Sequence, residues 1–138
     1  MTRVILDTNL YVGWLNRGLH ADLMLGPGLV RYLSAVVHME LRVGATTRSA
    51  RRALEQLARP YAAAGRLVAP RAGLFRDAGQ VLQELPRKGR DVRRAALVND
   101  LLIALTARDL GATVYTADAG DFEAMRAVRD FSLEVVGR

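Results

Sequence analysis

The sequence predicts an α/β fold, a three-layer α/β/α sandwich around a central, mainly parallel sheet. Short extended runs alternate with longer stretches of helical spacing along the whole chain. The first run, Val4-Ile5-Leu6, is continuously apolar, as a strand buried on both faces of a parallel sheet must be. Acids follow strands at Asp7 and Asp118, and in open parallel sheets ligands collect at the carboxyl ends of the strands.

The elements follow in order. Residues 3 to 6 form the first strand, broken by Asp7, and Leu10 to Asn16 carry apolar side chains at helical spacing up to Gly18, a C-terminal stop. Asn9 is placed to cap that helix. A short helix is expected over His20 to Leu25, closed by Gly26-Pro27-Gly28, and Leu29 to Leu33 reads as the second strand. Ser34 is the expected N-cap of a helix through Val36, Val37, Met39, Glu40 and Leu41. From Thr47 to Ala64 the spacing is helical again, with Pro60 expected to kink or divide it. Leu67 to Pro70 reads as an extended connection, and Leu74 to Leu85 as a helix ending at Pro86. The clearest helix runs from Arg93 to Asp109 and stops at Gly111. A strand over Thr113 to Thr116, a short helix over Asp121 to Arg126 and a last strand over Ser132 to Val136 complete the count.

With 138 residues, half of them hydrophobic and a quarter charged, the chain fits one domain spanning 1–138 with a real core. The absence of cysteine excludes disulfide scaffolds, thiolate metal sites and cysteine nucleophiles, and suits a cytoplasmic protein. Asp7 cuts the N-terminal apolar run far short of a signal or membrane segment, so no membrane association is expected. The net charge of +6 comes almost wholly from arginine, Lys88 being the one lysine, and a basic balance suits a polyanionic partner. Arg48, Arg51, Arg52, Arg87, Lys88, Arg90, Arg93 and Arg94 are the expected phosphate contacts for RNA, although the same groups could face a protein partner or solvent.

Four acids at apolar-to-polar transitions carry the chemistry: Asp7, Glu40, Asp100 and Asp118. Singly each has a plain explanation. Asp7 is an ordinary residue after a strand, Glu40 an exposed helical glutamate, and Asp100, set in Ala96 to Leu105, a buried carboxylate paired with Arg93 or Arg94. Asp121 is an alternative fourth acid or the N-cap of the next helix. Brought together, such carboxylates repel one another unless a cation neutralises them, which points to Mg²⁺ or Mn²⁺. A hard cation among carboxylates activates water for attack on a phosphodiester.

The segments Val4-Ile5-Leu6-Asp7-Thr8-Asn9, Ser34 to Gly44 around Met39-Glu40-Leu41, Asn99-Asp100-Leu101-Leu102-Ile103-Ala104 and Thr116-Ala117-Asp118-Ala119-Gly120-Asp121-Phe122 together resemble a PIN domain, and within that superfamily the VapC toxin ribonucleases. The resemblance implies a metal-dependent endoribonuclease with Asp7, Glu40, Asp100, Asp118 and Asp121 at the catalytic positions, and Asp7, Asp100 and Asp118 on the metal. It implies that Thr8, Asn9 and Thr116 orient the acids or a water, that the chain is a homodimer, and that a VapB-like antitoxin restrains it. Residues 46 to 90 match no motif of the family. A phosphatase of the haloacid dehalogenase type needs a second aspartate where Asn9 stands, and phosphate-loop and dinucleotide glycine motifs are absent. The other reading is a PIN-like module that binds RNA or protein without catalysis.

Overall fold

The structure, a computed structural model, describes residues 1–86 and 89–137; Arg87 and Lys88, two of the expected RNA contacts, lie outside the described residues. Strands β1 (Thr2–Leu6), β2 (Leu29–Ser34), β3 (Leu67–Val68), β4 (Thr113–Thr116) and β5 (Ser132–Val135) form one sheet in the order β3-β2-β1-β4-β5. Every neighbouring pair is parallel, with Ile5 level with Tyr32 on one side and Val114 on the other. Strand order reverses between β1 and β4, and that reversal opens a crevice at their carboxyl ends.

Among the described residues seven helices connect the strands: α1 (Thr8–Arg17), α2 (Ala21–Leu25), α3 (Ala35–Gly44), α4 (Arg48–Ala63), α5 (Ala72–Glu84), α6 (Ala95–Leu110) and α7 (Phe122–Val128). The right-handed crossover rule for parallel strands assigns α1 to α4 to one face of the sheet and α5 to α7 to the other. The packing agrees: α1 lies on α3 and α3 on α4, while α5, α6 and α7 pack on one another. The two layers meet where α3 touches α6.

Local chemistry explains the boundaries. Gly18 and Gly111 end α1 and α6 in the left-handed conformation, at φ 64° in both cases, which glycine adopts without steric cost. Ser34 accepts the Val36 and Val37 N–H groups, as its N-cap position requires. Two expectations are corrected. Pro60 does not divide α4, which continues to Ala63; the proline sits in the last turn, where little helix remains to disrupt. Asn9 is not the cap of α1, because Asp7 accepts the Thr8 N–H and takes that place.

The core is mainly aliphatic, with Tyr11, Phe122 and Phe131 as its buried aromatic residues. Val4, Ile5 and Leu6 of β1 are fully buried between Leu10, Tyr11 and Val37 of one layer and Leu97, Leu101 and Ile103 of the other. Tyr11 shares a hydrogen bond of 3.0 Å with the hydroxyl of Tyr61, tying α1 to α4.

Candidate active site

The end of β1 delivers Asp7 to the crevice. Its N–H prolongs the ladder by donating to the Tyr115 carbonyl at 2.8 Å, and its side chain, 6% exposed, is held by two bonds. Oδ1 accepts the Thr8 N–H and Oδ2 accepts the Thr116 hydroxyl, both at 2.8 Å. Burial raises the Asp7 pKa; the bonds from Thr116 and Thr8 oppose that, and the charges of Glu40 and Asp118 add to it.

Thr116, fully buried at the end of β4, has no freedom in which way its hydroxyl points. Its oxygen accepts from Asn9 Nδ2 and from the Asp118 N–H, each at 3.2 Å. Asn9 cannot reverse, because its Oδ1 accepts the Ala117 N–H at 3.2 Å. With both lone pairs used, the hydroxyl must donate, and a carboxylate outcompetes the neutral Asp118 carbonyl at 3.0 Å.

Glu40 arrives on α3 and is not a freely solvated glutamate. Thr8 donates to its Oε1 at 2.7 Å and Asn99 of α6 to its Oε2 at 3.4 Å, so both layers fix it. Asp100, the next residue of α6, is half-buried with its carboxyl raised to about 7, first by burial and then by Asp7, Glu40 and Asp121, with Arg94 opposing. Neither Arg93 nor Arg94 forms an ion pair with it among the described residues.

Asp118 and Asp121 separate clearly. Asp118 is exposed, its Oδ1 accepting the Gly120 N–H at 3.0 Å. Asp121 stands at the N-cap position of α7 but makes no capping bond there; Arg90 binds one oxygen at 2.9 Å and Arg94 the other at 3.0 Å.

Asp7, Thr8, Asn9, Glu40, Asp100 and Asp118 all line one cavity of about 560 Å³, whereas Asp121 does not. Arg17 and His20 also line it, although nothing in the sequence reading singled them out. Their adjacency depends on the turn between α1 and α2; the local signal was Gly13, a glycine inside an otherwise regular helix. Asn99 likewise stood beside Asp100 in the sequence without a role. Of the expected RNA contacts, Arg48, Arg51, Arg52, Arg90, Arg93 and Arg94 do not line the cavity, although Arg94 is near enough to act on the Asp100 carboxyl. Among the described residues no three acids or histidines stand close enough to form a ready-made ligand set for a metal.

The sequence matches the PIN domain family over residues 4–128. Among curated proteins none matches it. Similar solved structures include VapBC2 from Rickettsia felis bound to a promoter DNA fragment (22% identity, TM-score 0.70, 98% of this chain and 99% of that chain). Others are FitAcB from Neisseria gonorrhoeae (25% identity, TM-score 0.69, 94% and 95%) and VapBC-5, a toxin–antitoxin family member from Mycobacterium tuberculosis (24% identity, TM-score 0.61, 100% of both chains).

Proposed function

The chain belongs to the PIN domain family, and from that premise we propose that it is a Mg²⁺- or Mn²⁺-dependent endoribonuclease of the VapC type, the toxin of a toxin–antitoxin pair. The observation that carries the reading is one cavity lined by Asp7, Glu40, Asp100 and Asp118, two of which have carboxyls raised by burial and mutual repulsion. That is an electrostatic deficit a hard cation relieves. The donor chemistry fits such an ion even without a closed trio of ligands, because Mg²⁺ keeps several waters and takes only one or two carboxylates besides substrate phosphate.

In this reading Asp7, Asp100 and Asp118 would hold the ion, one or two directly and the rest through its waters, and the bound ion would supply water activation and offset charge on the departing oxygen. Thr116 and Thr8 fix the Asp7 carboxylate, so it needs no reorganisation to act as a ligand. Thr8 and Asn99 fix Glu40, whose remaining lone pairs face the cavity and orient the attacking water. Asp121 serves as anchor for Arg90 and Arg94. The neighbouring structures include VapBC toxin–antitoxin complexes, which supports a VapB-like partner for this chain; a homodimer is part of the same proposal.

The test is cleavage of single-stranded RNA by the purified chain, free of any partner, with Mg²⁺, with Mn²⁺ and with EDTA. Cleavage that needs metal and disappears in Asp100→Asn is expected; an inert wild type under all conditions overturns the enzyme in favour of a binding module. Growth arrest on expression, relieved by a neighbouring small reading frame, tests the toxin role.

A further inference from the structure

The cavity poses a charge problem that its carboxylates cannot solve. A phosphodiester is anionic, four acids line the wall, and a single divalent ion leaves negative charge in excess where the substrate must sit. Arg90 and Arg94 do not help, since both are bound to Asp121. Arg17 and His20 line the same cavity, and among the described residues neither side chain makes a hydrogen bond or ion pair. We propose that Arg17 and His20 form a phosphate-seating arm that holds a phosphodiester of the RNA against the carboxylates, an inference that rests on the nuclease reading.

The turn between α1 and α2 is built to present this pair. Gly18 ends α1 with its N–H on the Trp14 carbonyl at 2.9 Å, and Leu19 donates back to Gly13 at 3.2 Å. His20 then takes a left-handed conformation, φ 63° and ψ 33°, the only non-glycine residue with positive φ among those described. Its carbonyl accepts from Leu23 and Met24, both at 3.0 Å, while its side chain makes no cap bond to α2. Non-glycine residues held in the left-handed region cluster at ligand sites. The imidazole is seated on Gly13, where a Cβ would come 3.3 Å from Cδ2 and 3.4 Å from Nε2. Arg17, exposed in the last turn of α1, is always charged and can grip phosphate oxygens in pairs. The imidazole offers an N–H donor in either protonation state, so the role needs no particular charge on it.

The experiment compares wild type, Arg17→Ala and His20→Asn in cleaving a fluorescent single-stranded RNA, across salt concentrations, alongside their thermal melting. Asparagine tolerates the left-handed backbone, so His20→Asn should keep its Tm. KM should rise about tenfold for Arg17→Ala and by a smaller factor for His20→Asn, with kcat little changed. The log–log salt slope of kcat/KM should flatten by about 0.7 in Arg17→Ala, the share of one phosphate contact on a single strand. Wild-type KM and slope in both variants would overturn the proposal, as would a KM that rises only together with a lower Tm. An inert wild type is a separate result: it removes the nuclease reading and this inference with it.

Discussion

Asp100 couples the stability of the fold to pH through a single carboxyl. Its pKa is raised from 3.8 to about 7 in the folded state, so between those values the folded chain keeps a proton that the unfolded chain releases. Stability therefore falls as pH rises across that window, and the penalty is complete above it. Such a shift is worth at most ~4 kcal/mol, and partial solvation roughly halves it. Asp100→Asn should accordingly resist urea better than wild type at pH 8, by about 2 kcal/mol, match it at pH 3, and lose cleavage at least ~100-fold. Equal stability at pH 8 would refute the assignment. Because a metal must displace the same proton, Mg²⁺ affinity should drop by up to about tenfold per pH unit below 7, measurable by calorimetry. Thr116→Val removes the hydroxyl that serves Asp7, Asn9 and Asp118, and should cost about 1–3 kcal/mol in urea unfolding along with most of the activity. The acids were readable because each interrupts an apolar context. The Thr116 network was not, since Asp7 and Asn9 lie 109 and 107 positions away, and neither was the pairing of Asp121 with Arg90 and Arg94, which stand 31 and 27 positions before it.

The elements differ in how much of their placement is local. Helix α3 owes its start to Ser34, wholly buried, whose hydroxyl satisfies two N–H groups; Ser34→Ala should cost about 1–2 kcal/mol in urea unfolding. The same change loosens the aim of Glu40, so activity should fall by more than stability alone explains. Caps such as Ser34 and terminators such as Gly18 and Gly111 act within a few residues, which is why α1, α3 and α6 were legible in the sequence. Strand β3 was legible only as an extended connection, because Leu67-Val68 becomes a strand solely by lying beside Leu33-Ser34. Asparagine favours the cap position that the sequence suggests for Asn9, but Asp7, at the strand end just before, reaches the Thr8 N–H first and frees Asn9 for Thr116. Helix α6 is apolar over most of its length and packs on β1, β4, α3, α5 and α7, and its polar pair Asn99-Asp100 serves the crevice, Asn99 by donating to Glu40 and Asp100 by lining the cavity.

Taken whole, the molecule is a parallel sheet whose central strands meet in an acidic crevice. A ligand that binds only this folded arrangement stabilises it by mass action, so Mg²⁺ at a hundredfold its Kd should add about 2.7 kcal/mol. Thermal melting should rise with Mg²⁺, return with EDTA, and respond far less in Asp100→Asn; an unchanged Tm in the wild type at saturating Mg²⁺ would count against a cation in the crevice. The strand order β3-β2-β1-β4-β5 carries one more consequence, in the time order of synthesis. As the chain leaves the ribosome, β1 can pair with β2 within some 30 residues, yet its other neighbour is the late β4. Asp7 therefore waits for Thr116, and Glu40 for Asn99, until most of the chain has emerged. A nascent or prematurely released fragment ending before residue 113 lacks one wall of the crevice and the Thr116 hydroxyl that fixes Asp7, so the site can assemble only after β4 has been made.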